Sequence, residues 1–154
     1  SCHAIVANLT PFRGASMDPG TAFEVGFMRA LGRPVAAYTN VVADYDERAR
    51  AQRALGAIAG DADGPDIAIE DFGLAENLMI EIAVAESGSS VVRHAAAPGQ
   101  GMRDMTAFRA CGAGLARLML GSRPRAAWAR PPASAMRNAC QPKDASCRLP
   151  IPPP

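Results

Sequence analysis

Three consecutive segments decide the fold: Ala4-Ile5-Val6-Ala7, then Asp18-Pro19-Gly20-Thr21-Ala22-Phe23-Glu24-Val25-Gly26-Phe27-Met28-Arg29-Ala30-Leu31-Gly32, then Pro34-Val35-Ala36-Ala37-Tyr38. The first and third are short, continuous apolar runs of the length of a buried strand. The middle one is a helix with both ends marked: Asp18 as N-cap, Pro19 at the first helical position and Gly32 just past Leu31. Its apolar positions Phe23, Phe27, Ala30 and Leu31 recur at helical spacing. Strand, loop, helix, strand is the βαβ unit of a parallel sheet. A weaker third strand is expected over Ser90-Val91-Val92-Arg93, with further helices over Asp44–Ile58, Ala75–Glu86 and Arg103–Leu120. Gly112 and Gly114 weaken the last of these. The fold class is α/β.

Outward from this core the composition changes. The 154 residues are 49% hydrophobic and 20% charged, enough for one ordinary domain. All 14 glycines fall in residues 1–121, whereas 8 of the 13 prolines fall in 122–154, with six Lys or Arg against Asp144 alone. Residues 1–121 are therefore expected to form the α/β domain, and 122–154 a basic, Pro-rich, disordered tail whose alanines and cysteines bury too little to offset ordering entropy. A formal net charge of +1 and 5% aromatics argue against a nucleic-acid surface. No apolar run reaches the roughly 18 residues of a membrane span, and Ser1-Cys2-His3-Ala4 does not open a signal peptide. The chain reads as cytoplasmic. Cys2, Cys111, Cys140 and Cys147 show neither CxxC nor zinc spacing, and read as reduced thiols.

Chemistry concentrates between Asn8 and Gly26, where the chain leaves the carboxyl end of a strand, crosses a polar loop and enters a helix, the usual ligand crevice of an open α/β sheet. Asp18 stands at the helix mouth. Glu24 lies further in, on the face of Gly20, Thr21 and Met28, with Gly20 one turn earlier leaving room beside it. Two carboxylates flanking a sugar are what retaining glycosyl transfer requires. The bland reading of the same residues is a helix cap and a solvated glutamate. A six-residue offset is about 9 Å of helical rise, so the pair can meet across a substrate only if Asp18 turns back from its loop.

The run Val6-Ala7-Asn8-Leu9-Thr10-Pro11-Phe12-Arg13-Gly14, followed by Asp18 to Gly26 and Ala30-Leu31-Gly32-Arg33-Pro34-Val35, resembles the nucleoside 2-deoxyribosyltransferase family, as does Glu70-Asp71-Phe72-Gly73-Leu74-Ala75-Glu76-Asn77-Leu78-Met79-Ile80. The resemblance spans most of residues 4 to 86. It implies a flavodoxin-like, Rossmann-like parallel sheet and a working oligomer. Glu24 falls at the family's nucleophile, which forms a covalent deoxyribosyl ester before a second base or water replaces the first. Asp18 falls at the carboxylate that assists proton handling. Asn77 and Met79 fall in the element that reaches a neighbouring subunit's site, the asparagine at the sugar 5′-hydroxyl, and Gly20 and Asn8 join them as substrate-binding candidates. The implied function is nucleobase exchange on 2′-deoxynucleosides in nucleoside salvage, by a homo-oligomer, with no cofactor and no metal. The chemistry agrees, since a 2-deoxyribosyl centre has no 2-hydroxyl to withdraw electrons and a placed carboxylate can trap its oxocarbenium-like state. Asp18 is the nearby acid for the departing base.

Family members normally begin with a strand ending in a Tyr-Leu-Ala-Gly-Pro-like segment, and none precedes Ser1. The domain is therefore expected to be N-terminally truncated and the chain alone to turn over little. The alternatives are a related N-glycosidase hydrolysing nucleosides or nucleoside 5′-monophosphates, and a catalytically silent family member. Elsewhere, His3 and His94 read as isolated surface residues. Arg13 reads as a loop cation, Tyr38 and Tyr45 as packing residues, and Asp61 to Asp66 as a turn without a calcium-loop pattern.

Overall fold

A computed structural model describes residues 2–56 and 68–121. The tail from 122 on, Cys140, Cys147 and the turn at 61–66 lie outside the described residues, whereas the helix expected over Asp44–Ile58 ends at Ala54, with Leu55 as its C-cap and Gly56 at φ 69°. Three strands, β1 (Ile5–Asn8), β2 (Val35–Thr39) and β3 (Val92–Arg93), form a parallel sheet in the order β1-β2-β3. Ile5 pairs with Val35 and Asn8 with Tyr38, and Tyr38 in turn pairs with Val92. Helices α1 (Pro19–Ala30), α2 (Tyr45–Ala54), α3 (Leu78–Glu86) and α4 (Thr106–Gly121) complete it. The expected α/β architecture is present.

Every residue of β2 is buried, because the sheet is covered on both faces. Val35 and Ala37 join Ala7, Leu9, Val25, Met28, Ala83 and Val84 under α1 and α3, while Ala36 and Tyr38 meet Ala107, Cys111 and Leu115 of α4. Strand alternation thus divides one apolar run between two cores. The Tyr38 ring meets Phe108 edge-on, its centroid 5.9 Å away. No helix among the described residues is long and apolar enough to cross a membrane.

Helix α1 begins and ends where its signals stand: Asp18 caps it, and Gly32 follows with φ +65°, a conformation that L side chains rarely adopt. Its inward face is not the stripe whose periodicity marks the helix. Val25 and Met28 are buried, whereas Phe23, Phe27 and Leu31 are 73%, 55% and 55% exposed. Phe23 and Phe27 stack on one another at 6.3 Å, outside the core. Apolar residues occur nearly all round this helix, and the sheet takes the stripe whose smaller members allow close approach.

Three boundaries also move. Helix α3 starts at Leu78 rather than Ala75, because Asn77 takes the cap and the Glu76 side chain is consumed in the interior. Helix α4 starts at Thr106 rather than Arg103, since Asp104 accepts from the Thr106 N–H at 2.8 Å and so acts as its cap. The third strand is shortened to its last two residues.

Candidate functional site

The loop from β1 to α1 is held at each step. Leu9, fully buried, donates its N–H to Tyr38 O, and Asn8 Oδ1 accepts from Thr10 N at 3.0 Å. Thr10 Oγ1 accepts from Asn40 N at 3.0 Å, tying the loop to the end of β2. A tight turn from Phe12 to Ser16 places Arg13 at φ 55° with its guanidinium 4.8 Å from the Phe12 ring centroid. Asp18 then caps α1, its Oδ1 accepting from Gly20 N at 2.9 Å. A Cβ added at Gly20 would stand 2.8 Å from that oxygen. The glycine therefore makes room for Asp18 itself, whereas the sequence reading placed its space beside Glu24.

Asp18 and Asn8 line one cleft of about 220 Å³ with Thr10, Phe12, Thr21 and Met102. Glu24 is exposed and fronts a different depression of about 560 Å³, walled by Ile5, Phe23, Phe27, Met28 and Leu31. Asn77 and Met79 border a third, of about 500 Å³, with Met17, Val25 and Tyr45. Asn8 and Asp18 thus share one cleft, while Glu24 and the Asn77–Met79 element each border another. One oxygen of Asp18 is taken by the cap, Oδ1 accepting from Gly20 N.

Asn77 is engaged at both ends of its amide. Oδ1 accepts from Met79 N at 3.0 Å, and Nδ2 donates to Glu70 Oε1 at 2.9 Å while Glu70 Oε2 accepts from Leu78 N at 3.1 Å. Contact with a sugar hydroxyl would draw on the Glu70 bond. Met79 is 78% exposed.

A family profile described as nucleoside 2-deoxyribosyltransferase matches residues 1–79. The chain belongs to the nucleoside 2-deoxyribosyltransferase family. It is 32% identical to an uncharacterized protein of Schizosaccharomyces pombe over 58% of this chain and 49% of that one. It is 34% identical to a 2-desoxiribosyltransferase from Leishmania mexicana of known structure, with 51% of this chain and 46% of the other covered and a TM-score of 0.34. The chain spans about half the length of these relatives.

Within this member of the family, two features escape sequence reasoning. The first is Glu76, 1% exposed. Its Oε1 accepts from Ser16 Oγ at 2.8 Å and Asn77 N at 3.1 Å, and its Oε2 from Met17 N at 3.2 Å and Arg48 Nη2 at 3.4 Å. Arg48 also donates to Ala15 O, Ala43 O and Ala75 O at 2.6 to 2.8 Å. Burial lowers the Arg48 pKa from its ordinary value, partly opposed by Glu76. Burial, with Glu76 next, raises that of Tyr45. The only sequence signal was the place of Glu76 within the Glu70–Ile80 run.

The second is the segment around Met102. Asn40 Nδ2 donates to Gly101 O and Asp104 O, both at 2.8 Å, and His94 Nε2 lies 3.0 Å from Asp104 Oδ2. Hydrogen bonds from Thr106, then His94, bring the Asp104 carboxyl down to about 2. His94 is thus paired, contrary to its reading as isolated, and His3 likewise meets Arg33 at 3.0 Å. Among the described residues no three His, Cys, Asp or Glu side chains converge as a metal site.

Proposed function

We propose that this chain transfers a 2-deoxyribosyl group between nucleobases in nucleoside salvage, through a covalent ester on Glu24. The observation that supports this is the state of Glu24. Its carboxylate is exposed, has no hydrogen bond or ion pair among the described residues, and fronts a depression able to admit a sugar. An unencumbered carboxylate is a competent nucleophile. A nucleoside that spans the Asp18 cleft and the Glu24 depression would let a Glu24 oxygen bond to C1′ as the C1′–N bond breaks, while Asp18 passes a proton to the departing ring nitrogen. The incoming base reverses both steps and returns the proton to Asp18. Asn8 and Gly20 shape the Asp18 cleft. A second copy supplies Asn77 and Met79, which accords with the exposure of Met79.

The test is mass spectrometry of the protein incubated with a 2′-deoxynucleoside. An increment of one deoxyribosyl group, mapped to Glu24 and lost in Glu24→Ala, is the expected result. Released free sugar with no base exchange would move the assignment to an N-glycosidase. Absence of both adduct and turnover removes the proposal.

A further inference from the structure

The loop that delivers Asp18 and the segment that begins α3 are about 60 residues apart in sequence, yet they meet at one carboxylate. Glu76 takes Ser16 Oγ and Met17 N from the first, and Asn77 N from the second. Arg48 fastens the same two segments one residue further out, at Ala15 O and Ala75 O. Met17 is the residue before Asp18, so the bond to its N–H fixes the entry angle of the cap directly. A buried ion pair is a weak source of net stability, because desolvation offsets its attraction. What three bonds from the two segments and a fourth from Arg48 do supply is position.

We propose that Glu76, held by Arg48, is a positioning residue that sets the Asp18 carboxyl for deoxyribosyl transfer; this rests on the function proposed above. Reacting groups must be held to a fraction of an ångström, and a displacement of about 1 Å costs on the order of 100-fold in rate. Glu76→Gln places an amide NH₂ where the carboxylate now meets donors. Either the Ser16 and Asn77 side or the Met17 and Arg48 side then loses its acceptor.

The experiment is a double-mutant cycle with Asp18→Asn, joined to amide hydrogen exchange that needs no activity. Glu76→Gln is expected to lower kcat for base exchange by about 10- to 100-fold with KM changed far less, and to have no further effect once Asp18→Asn is present. Independent, multiplying losses would mark a purely structural role and overturn the proposal. Exchange at Met17, whose N–H Glu76 accepts, should quicken in Glu76→Gln while α4 stays protected, and unchanged protection at Met17 overturns the proposal even if the protein proves inactive. Wild-type inactivity with quickened exchange would sink the transfer reading alone. Should Glu76→Gln fail to fold, the apolar pair Arg48→Met/Glu76→Leu keeps the interior filled. Wild-type kcat in that folded double variant would equally overturn the proposal.

Discussion

Gly20→Ala separates the position of Asp18 from the stability of α1. The new Cβ would stand 2.8 Å from Asp18 Oδ1, closer than real Cβ contacts come. The short Asp18 side chain must rotate away, breaking its bond to Gly20 N. Loss of an N-cap costs about 1 kcal/mol, while alanine in place of glycine in a helix returns about 0.5–1 kcal/mol. The two nearly cancel. With each kcal/mol worth about 2–8 °C across domains of this range of size, the remainder of at most about 0.5 kcal/mol should shift Tm by less than about 4 °C. Activity has no such compensation. If Asp18 moves the proton of the leaving base, its displacement should cost on the order of 10² to 10⁴ in kcat. Thermal unfolding by circular dichroism and base exchange between two nucleobases read the two effects. Gly112→Ala is the control, because its Cβ meets nothing within 4 Å and α4 should simply gain the helix increment. Normal exchange by a folded Gly20→Ala protein would refute the link between the capped carboxyl and the chemistry.

Two further outcomes test the packing. Val25→Ala should destabilise by about 2 kcal/mol, whereas Phe23→Ala, which removes a larger but mostly exposed ring, should cost less than about 1 kcal/mol; the reverse order in urea unfolding would restore the aromatic stripe as the core face. Burial raises the Cys111 thiol to about 11, so it should resist alkylation at pH 8 in the native protein while exposed Cys2 reacts. An unfolded thiol ionises first, so Cys111 adds nothing to the pH dependence below about pH 8.5 and lowers stability as pH rises from there toward 11. Cys111→Ala should flatten that alkaline slope, and an unchanged slope would place its origin elsewhere.

How much was legible follows from the range of each interaction. The β1–α1–β2 unit could be read because its signals are local: Asp18-Pro19 opens the helix, Gly32 closes it, and two apolar runs flank it. The inward face of α1 could not, because Ala22, Phe23, Val25, Phe27, Met28, Ala30 and Leu31 offer more than one apolar stripe, and docking on the sheet chooses between them. The same limit applies to the site. Asn8 and Asp18 share a cleft because a strand end and a helix mouth are neighbours in any such unit. The separation of Glu24 from them follows from six residues of helix.

Glu76 is the instructive failure. Charged residues are almost never fully buried unless paired, and no neighbour of Glu76 in the sequence supplies a cation to pair with it. Its partner Arg48 lies 28 residues away and Ser16 lies 60 away. Only the folded chain supplies both. A residue whose surroundings are assembled wholly from distant segments leaves no periodic trace, yet it ties together the loops on which the proposed chemistry depends. The proposed transfer chemistry at α1 would therefore depend on long-range contacts as much as on the residues proposed to touch substrate. A site rebuilt from Asn8, Asp18 and Glu24 on another scaffold should fail to exchange bases unless an equivalent buried acceptor fixes the entry of the cap.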